Sequence, residues 1–202
     1  MSRTLFTSRF GGDLKISTSR AVLQSALALP VLHFMRQSHS DIVLVVDGSG
    51  GEFAADALIT KAKGVGLAAL AADCMPITFS AKDCVGVAHV GRVGFTKGIA
   101  AKTVALMRSL GAGDITATIG PSICGRCYEV APDMYQEITE RFPAARTSDL
   151  LHCLDLQRGV TFELEDIGVT VRNLNICTLE NPEYFSFRRG AEQARQAGLI
   201  SL

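Results

Sequence analysis

Apolar positions in this chain fall into short, nearly continuous runs divided by polar turns. The runs at Ile42–Val46, Gly66–Ala72, Pro76–Ser80, Cys84–Val90, Asp114–Gly120 and Val169–Cys177 predict strands buried on both faces. Helical spacing is clearest over Phe95–Leu110, where Ile99, Val104, Leu106 and Leu110 mark one apolar face and Gly111 supplies a stop. Pro132–Phe142 opens with a proline suited to a first helical turn. Gln157–Ile167, Gly190–Ala197 and Ala21–Gln37 complete the predicted helices, the last interrupted by Pro30. Strands and helices intermix without strict alternation, which predicts an α+β domain with mixed sheets rather than a doubly wound one.

The chain has 202 residues, 48% of them apolar and 20% charged, enough for a sizeable core. No repeat, linker or low-complexity tract divides it. Lys plus Arg and Asp plus Glu number 20 each, so charge gives no reason to expect a nucleic acid or an anionic membrane as partner. No apolar run reaches the length of a membrane span, and Met1 to Phe10 lacks the apolar stretch of a secretion signal. A cytoplasmic monomer acting on a small molecule is the expectation. In that compartment most of the six cysteines are expected as free thiols, and Cys84, Cys153 and Cys177 read as small buried hydrophobes.

Chemistry concentrates where strands end. Cys74 stands between Asp73 and Pro76, His89 closes the next run, and His39 precedes Ile42–Val46. If Ala81-Lys82-Asp83 is a hairpin turn, residues near 89 lie opposite residues near 74, with register deciding whether they share a face. Three readings stand level on the residues alone. The set holds a catalytic zinc with an open fourth position. It is a metal-free pair, Cys74 as nucleophile and His89 as base, acting on an amide or ester. Or it is a buried Cys and His with no catalytic role. Asp47-Gly48-Ser49-Gly50-Gly51 lacks the helix and Lys-Ser/Thr of a P-loop. Cys124-Gly125-Arg126-Cys127 has no second CxxC and reads as a loop rather than a redox pair. Arg188-Arg189 reads as a solvated surface pair, and Arg9 beside Gly11-Gly12 as a residue able to reach an anion.

Taken in order, these segments resemble the YfiH-type laccase-domain family, also called multicopper polyphenol oxidoreductases, peptidoglycan editing factors or purine nucleoside phosphorylases. The segments are Arg9-Phe10-Gly11-Gly12, Gln37-Ser38-His39-Ser40, Asp56-Ala57-Leu58-Ile59-Thr60, Asp73-Cys74-Met75-Pro76, Ala88-His89-Val90-Gly91, Ile119-Gly120-Pro121, Cys127-Tyr128-Glu129-Val130 and Phe185-Ser186-Phe187-Arg188-Arg189. The resemblance covers nearly the whole chain and implies one domain over residues 1–202, with mixed β-sheets layered with α-helices. It implies zinc on His39, Cys74 and His89, which are then also the catalytic residues. It implies phosphate-dependent cleavage of adenosine, inosine or methylthioadenosine, with adenosine deamination as a further activity, and its alternative is hydrolysis of an amide or ester such as a peptidoglycan precursor. Arg9, Asp73, Arg92 and Glu129 are the substrate-side candidates. A non-catalytic binding or regulatory member is the remaining alternative.

The chain departs from the family in several places, one of them the Gly-Pro-Cys-Cys loop, which stands here as Cys124-Gly125-Arg126-Cys127. His-Ala-Gly-Trp-Arg-Gly stands here as His89-Val90-Gly91-Arg92-Val93-Gly94, so the aromatic is gone and the arginine has moved one position. The stretch between Gly12 and His39 is short for the family. Zinc rather than copper is the expected metal. Several copper centres need many imidazoles, and the chain has only His33, His39, His89 and His152.

Overall fold

The turn that ends the run at Pro76–Ser80 builds the centre of the molecule. A computed structural model describes residues 2–51, 53–147 and 152–202. In it β6 (Met75–Ser80) and β7 (Val85–Val90) pair antiparallel, with Pro76 opposite His89 and Met75 opposite Val90. The Ala81 N–H donates to the Cys84 carbonyl at 2.9 Å and closes the turn. Around this hairpin lie β3 (Val43–Val45), β4 (Ala57–Thr60), β8 (Thr116–Ile119) and β9 (Thr170–Asn173), giving a mixed sheet in the order β3-β4-β7-β6-β8-β9. A smaller mixed sheet has the order β1-β10-β5-β2, from Arg3–Phe6, Gln196–Ser201, Val65–Ala71 and Val31–Phe34.

Alternation along the strands sorts the core into layers. Leu58, Val85 and Val87 face the small sheet and meet Val65, Leu67, Ala69 and Ile200. Ala57, Ile59, Ile77, Phe79, Ala88 and Val90 face the opposite way. They pack on α3 (Ile99–Ser109), α4 (Pro132–Arg141) and α5 (Leu156–Asp166). The far side of the small sheet, Ala68, Ala197 and Leu199, is covered by Leu14 and by Leu23 of α1 (Ser17–Ala26). The result is an α+β domain of helix, sheet, sheet and helices. Leu58 and Leu67 are fully buried in the seam between sheets, each contributing about 1.5–3 kcal/mol over an exposed position. His89, two residues after Val87, shares that seam face of β7 at its end. Among the described residues no helix is long and apolar enough to cross a membrane.

Three predicted elements are corrected. The helix expected over Ala21–Gln37 ends at Ala26, and Val31–Phe34 pairs in parallel with β5. Pro30 removes a donor, and Ala28 already sits in the left-handed region at φ 53°. Phe95–Leu110 is broken into α2 (Arg92–Thr96) and α3 by Gly98, whose φ of 70° suits a residue without a side chain. Gly190–Ala197 is not a helix. The short α6 (Phe187–Gly190) precedes it and β10 begins at Gln196. Gly198 explains the strand: a Cβ there would lie 2.8 Å from both Phe6 and Pro76, so the small residue marks close approach to other strands.

Candidate active site

Three chain segments deliver the expected Cys/His/His set to one place, and their ligand atoms all lie within 4.8 Å of one another. His89 comes from the end of β7, Cys74 from the residue before β6, and His39 from the loop between β2 and β3. Cys74 Sγ is 3.8 Å from His39 Nε2, and the two imidazoles meet edge to face with centroids 4.8 Å apart. A tetrahedral zinc with arms of about 2.0–2.3 Å places S and N ligands roughly 3.5 Å apart, so the spacing fits the ion. His89 is buried, Cys74 partly buried and His39 exposed, which leaves one side open.

The set is positioned by a residue outside the three expected ligands and the four substrate-side candidates. Asp56, fully buried at the start of β4, accepts the His89 Nδ1 hydrogen at 2.8 Å and thereby directs Nε2 toward the site. The same carboxylate accepts from the backbone N–H groups of Ser38, His39 and Ser40 at 3.1, 3.1 and 2.7 Å, and from the Ser40 hydroxyl at 2.7 Å. Its backbone carbonyl takes the His89 N–H at 2.8 Å. His39 is held in the left-handed region, φ 58°, by this ring of bonds. A signal for Asp56 exists in the sequence: a carboxylate heading an apolar strand must find several donors if it is buried. Gly91 closes the site from another side. A Cβ there would stand 2.9 Å from Cys74 Sγ and 3.0 Å from His39 Cδ2.

Electrostatics follow from this packing. Burial pushes the Asp56 carboxyl up, but hydrogen bonds from His89, Ser40 and Ser38 win and hold it far below the usual range. Burial opposes charge on His89, yet Asp56 and Cys74 raise its pKa to about 9. Burial likewise opposes a Cys74 thiolate, and His39 and His89 overcome it to bring the thiol down to about 6. Without a metal the set therefore rests as a Cys74 thiolate beside a His89 imidazolium, whose proton must leave before that ring can ligate a cation.

The set lines a cleft of about 540 Å³ together with Gln37, Tyr128, Phe187 and Arg188. Gln37 clamps the edge of β5 through paired bonds of 2.8 Å to the Leu70 backbone. A second concavity of about 600 Å³ adjoins it, sharing Tyr128 and Arg188 and adding Arg92, Glu129 and Met134. Arg188 stacks over Tyr128 at 4.9 Å and donates to the Glu129 carbonyl at 2.8 Å. Arg92 and Glu129 thus lie beside the cleft. Asp73 touches the cleft, but its carboxylate oxygens are taken by Thr178 Oγ1 and the Arg188 N–H, both at 2.7 Å. With φ 86° and its carbonyl bonded to the Ile123 N–H, Asp73 fixes the turn that presents Cys74. Arg9 lies elsewhere, paired with Glu192 at 3.0 Å and stacked on Phe185. Arg188-Arg189 is not a solvated pair. Arg189 is half-buried and donates to the carbonyls of Thr178, Asn181 and Tyr184. His33 bonds the Asp47 carbonyl at 2.9 Å, and Asp47 caps its own turn through Ser49, so that loop is structural.

Known proteins point the same way. A purine nucleoside phosphorylase of Streptomyces griseus is 39% identical over 180 residues, covering 84% of this chain and 73% of its own length. One from Mycobacterium tuberculosis is 34% identical over 196 residues, covering 92% and 78%. Among solved structures, a Neisseria meningitidis protein, NMB0706, superposes with a TM-score of 0.86 at 27% identity, covering all of this chain and 94% of that one. YfiH of Bacillus licheniformis also gives 0.86, at 25% identity, with 100% and 92% covered. Residues 11–202 match the family described as multi-copper polyphenol oxidoreductase laccase. With the His39, Cys74 and His89 side chains converged at the mouth of the inter-sheet seam, and this match spanning nearly the whole chain, the protein belongs to that laccase-domain family of enzymes.

Proposed function

We propose that this chain is a zinc-dependent purine nucleoside phosphorylase, acting on adenosine, inosine or methylthioadenosine, with adenosine deamination as a further activity. The observation that carries the reading is the open three-ligand set in a cleft that continues into a cationic concavity. Relatives named for this activity support it. His39, Cys74 and His89 would hold zinc, and two imidazoles with one thiolate suit zinc better than a multicopper centre. Zinc, when bound, supplies Lewis acidity toward an oxygen ligand.

The other tasks fall to the chain's own residues. Arg92 and Arg188 face one concavity and offer guanidinium groups to the phosphate nucleophile. This gives the displaced arginine of His89-Val90-Gly91-Arg92 a place near the same pocket. Tyr128 and Phe187 present aromatic surface to a purine ring. In phosphorolysis a phosphate oxygen bonds to C1′ of the ribose as the bond to the purine nitrogen breaks, and the departing base takes a proton. Glu129, exposed beside Arg92, is the carboxyl group placed to serve that proton transfer. Asp73 acts by positioning Cys74, since its oxygens are already engaged.

The test is release of free base and sugar phosphate from adenosine, inosine and methylthioadenosine with and without inorganic phosphate. Turnover that requires phosphate, falls with chelation and drops at least ~100-fold in Cys74→Ala is the expected result, as for loss of a metal ligand. Base release that ignores phosphate overturns the phosphorylase reading. One observation favours a metal-free cysteine hydrolase, namely the Cys74 thiol brought to about 6 between two imidazoles. Ester or amide hydrolysis that survives chelation and dies on alkylation of Cys74 would establish it instead. Nucleoside binding without turnover would assign a binding role.

A further inference from the structure

A second cluster lies outside the cleft and takes no part in the function proposed above. Among the described residues two groups of side chains have metal-ligand spacing, and the second is Cys124, Cys127, Cys177 and Glu180, whose ligand atoms all lie within 4.8 Å of one another. All three cysteines are free thiols. The sequence offers half the signal, a CxxC with no second CxxC, and the fold supplies the rest from a segment fifty residues later.

We propose that Cys124, Cys127, Cys177 and Glu180 form a structural zinc site that staples the segment leading into Tyr128 to the segment that holds Asp73, both residues of the cleft. Four donors are the number a closed structural zinc requires, whereas the cleft set has three. A tetrahedron with arms of about 2.3 Å has edges of roughly 3.8 Å, within the observed spread. The backbone sets the arrangement. Ser122 and Cys177 form a parallel bridge, with the Ser122 N–H on the Ile176 carbonyl at 3.1 Å and the Thr178 N–H on the Ser122 carbonyl at 3.2 Å. The 124–127 turn is closed by N–H groups of Cys127 and Tyr128 on the Cys124 carbonyl, at 3.0 and 3.1 Å. The Cys124 N–H points at Cys177 Sγ, 3.5 Å away, the kind of donor that steadies a thiolate. Glu180 reaches to 3.6 Å from Cys127 Sγ. Three thiolates and a carboxylate around a divalent cation leave a net negative charge. Arg126 stands 3.4 Å from Glu180 to offset part of it.

A disulfide explains this arrangement less well. One S–S bond would use two of the sulfurs and leave a thiol and a carboxylate crowded beside it without a shared partner. Zinc uses all four donors. The two segments it would join matter to the cleft: Tyr128 follows Cys127 directly, and Thr178 follows Cys177 and holds Asp73 at 2.7 Å. The site would therefore fix both segments without touching substrate.

The test is metal counting on the full chain purified from zinc-supplemented cells and freed of loose ions. Two zinc per wild-type chain, one in Cys74→Ala and one in Cys177→Ser are the expected values. Folding of the cluster variants is bypassed by X-ray absorption at the zinc edge on Cys74→Ala, which leaves the cluster intact. Three sulfur neighbours and one oxygen at about 2.0–2.3 Å are expected there. Glu180→Gln, at an exposed position, should lose that zinc to a chelator at least about tenfold faster, the scale of a weakened ligand shell. One zinc in wild type with none in Cys74→Ala overturns the site. So does a sulfur count below three, an unchanged release rate in Glu180→Gln, or a Cys124–Cys127 disulfide in protein alkylated on lysis. None of these readouts depends on the reaction in the cleft, so the failure of either reading leaves the other standing.

Discussion

The two ligand clusters of this domain share sulfur chemistry and differ in how they are supported. His39, Cys74 and His89 are carried by strand ends at the mouth of a packed seam, and behind them a fully buried Asp56 engages both histidine-bearing segments. Cys124, Cys127, Cys177 and Glu180 are carried by two loop segments, joined by a backbone bridge that Gln157 supports through Ser122. The first set has a rigid frame and too few ligands to close around a metal. The second has a full complement of ligands on a frame of loop contacts. A site for chemistry needs its donors held in place with one position free. A staple needs the reverse, because the metal itself supplies the rigidity. The contrast can be broken from either side.

The largest effect is expected at the frame of the first set. Asp56→Asn keeps the volume but replaces an acceptor oxygen with an N–H₂ group that faces donors. Zinc affinity in the cleft, and turnover with it, should fall about 10- to 100-fold, while the zinc of the loop cluster is retained. Metal stoichiometry against chelator concentration measures both in one titration. Equal loss from both clusters would show that Asp56 supports the fold at large rather than the cleft.

Gly91→Ala probes the same frame with one methyl group. Its Cβ would meet Cys74 Sγ at 2.9 Å and His39 Cδ2 at 3.0 Å, so both ligands must move. A shift of that size should cost about tenfold in turnover, since displacements near 1 Å at a site cost up to 10²-fold. Thermal unfolding should change little, because the two atoms belong to partly exposed side chains. Unchanged turnover would mean that the ligand positions tolerate more slack than the packing suggests.

Much of this was legible from residues alone, and the failures have physical causes. The β6–β7 hairpin follows from two apolar runs and a short turn, but its register, which places His89 opposite Pro76, stays open until the structure fixes it. β4 went unassigned because Asp56 heads it, and a buried carboxylate looks like a loop residue until its donors are known. The expected helix Gly190–Ala197 overruns the first two residues of β10, and the rest of that strand goes unassigned, because Ala197 and Gly198 carry no strand signal. Their small size answers to Phe6 and Pro76, residues distant in sequence. Cys177 read as a buried hydrophobe, and it is buried; its second property, proximity to Cys124, depends on a bridge that no local pattern encodes. Periodicity reports which face an element buries, not which loops meet.

Thiol reactivity gives the finest separation of the two clusters. In protein stripped of metal, Cys74 is held at about 6 by His39 and His89 against its burial. Cys127 is pushed far above the ordinary thiol range by burial, by its bond with Cys124 and by the nearby Cys177. Exchange with an aromatic disulfide reads both through the thiolate. At pH 7 Cys74 is roughly 90% thiolate, against roughly 1% for a thiol of pKa 9, but a lower pKa also makes a weaker nucleophile. With a Brønsted slope near 0.45 the two factors nearly cancel, leaving a rate advantage of only about fourfold at pH 7. The slope with pH is the sharper measure. Cys74 should react at an almost constant rate from about pH 7 to pH 9 and lose half its rate near pH 6. Cys127 should gain about tenfold per pH unit across the same range, because its thiolate is a small fraction throughout. Parallel slopes for the two residues would remove the electrostatic distinction between the clusters, and would do so even if both hold zinc.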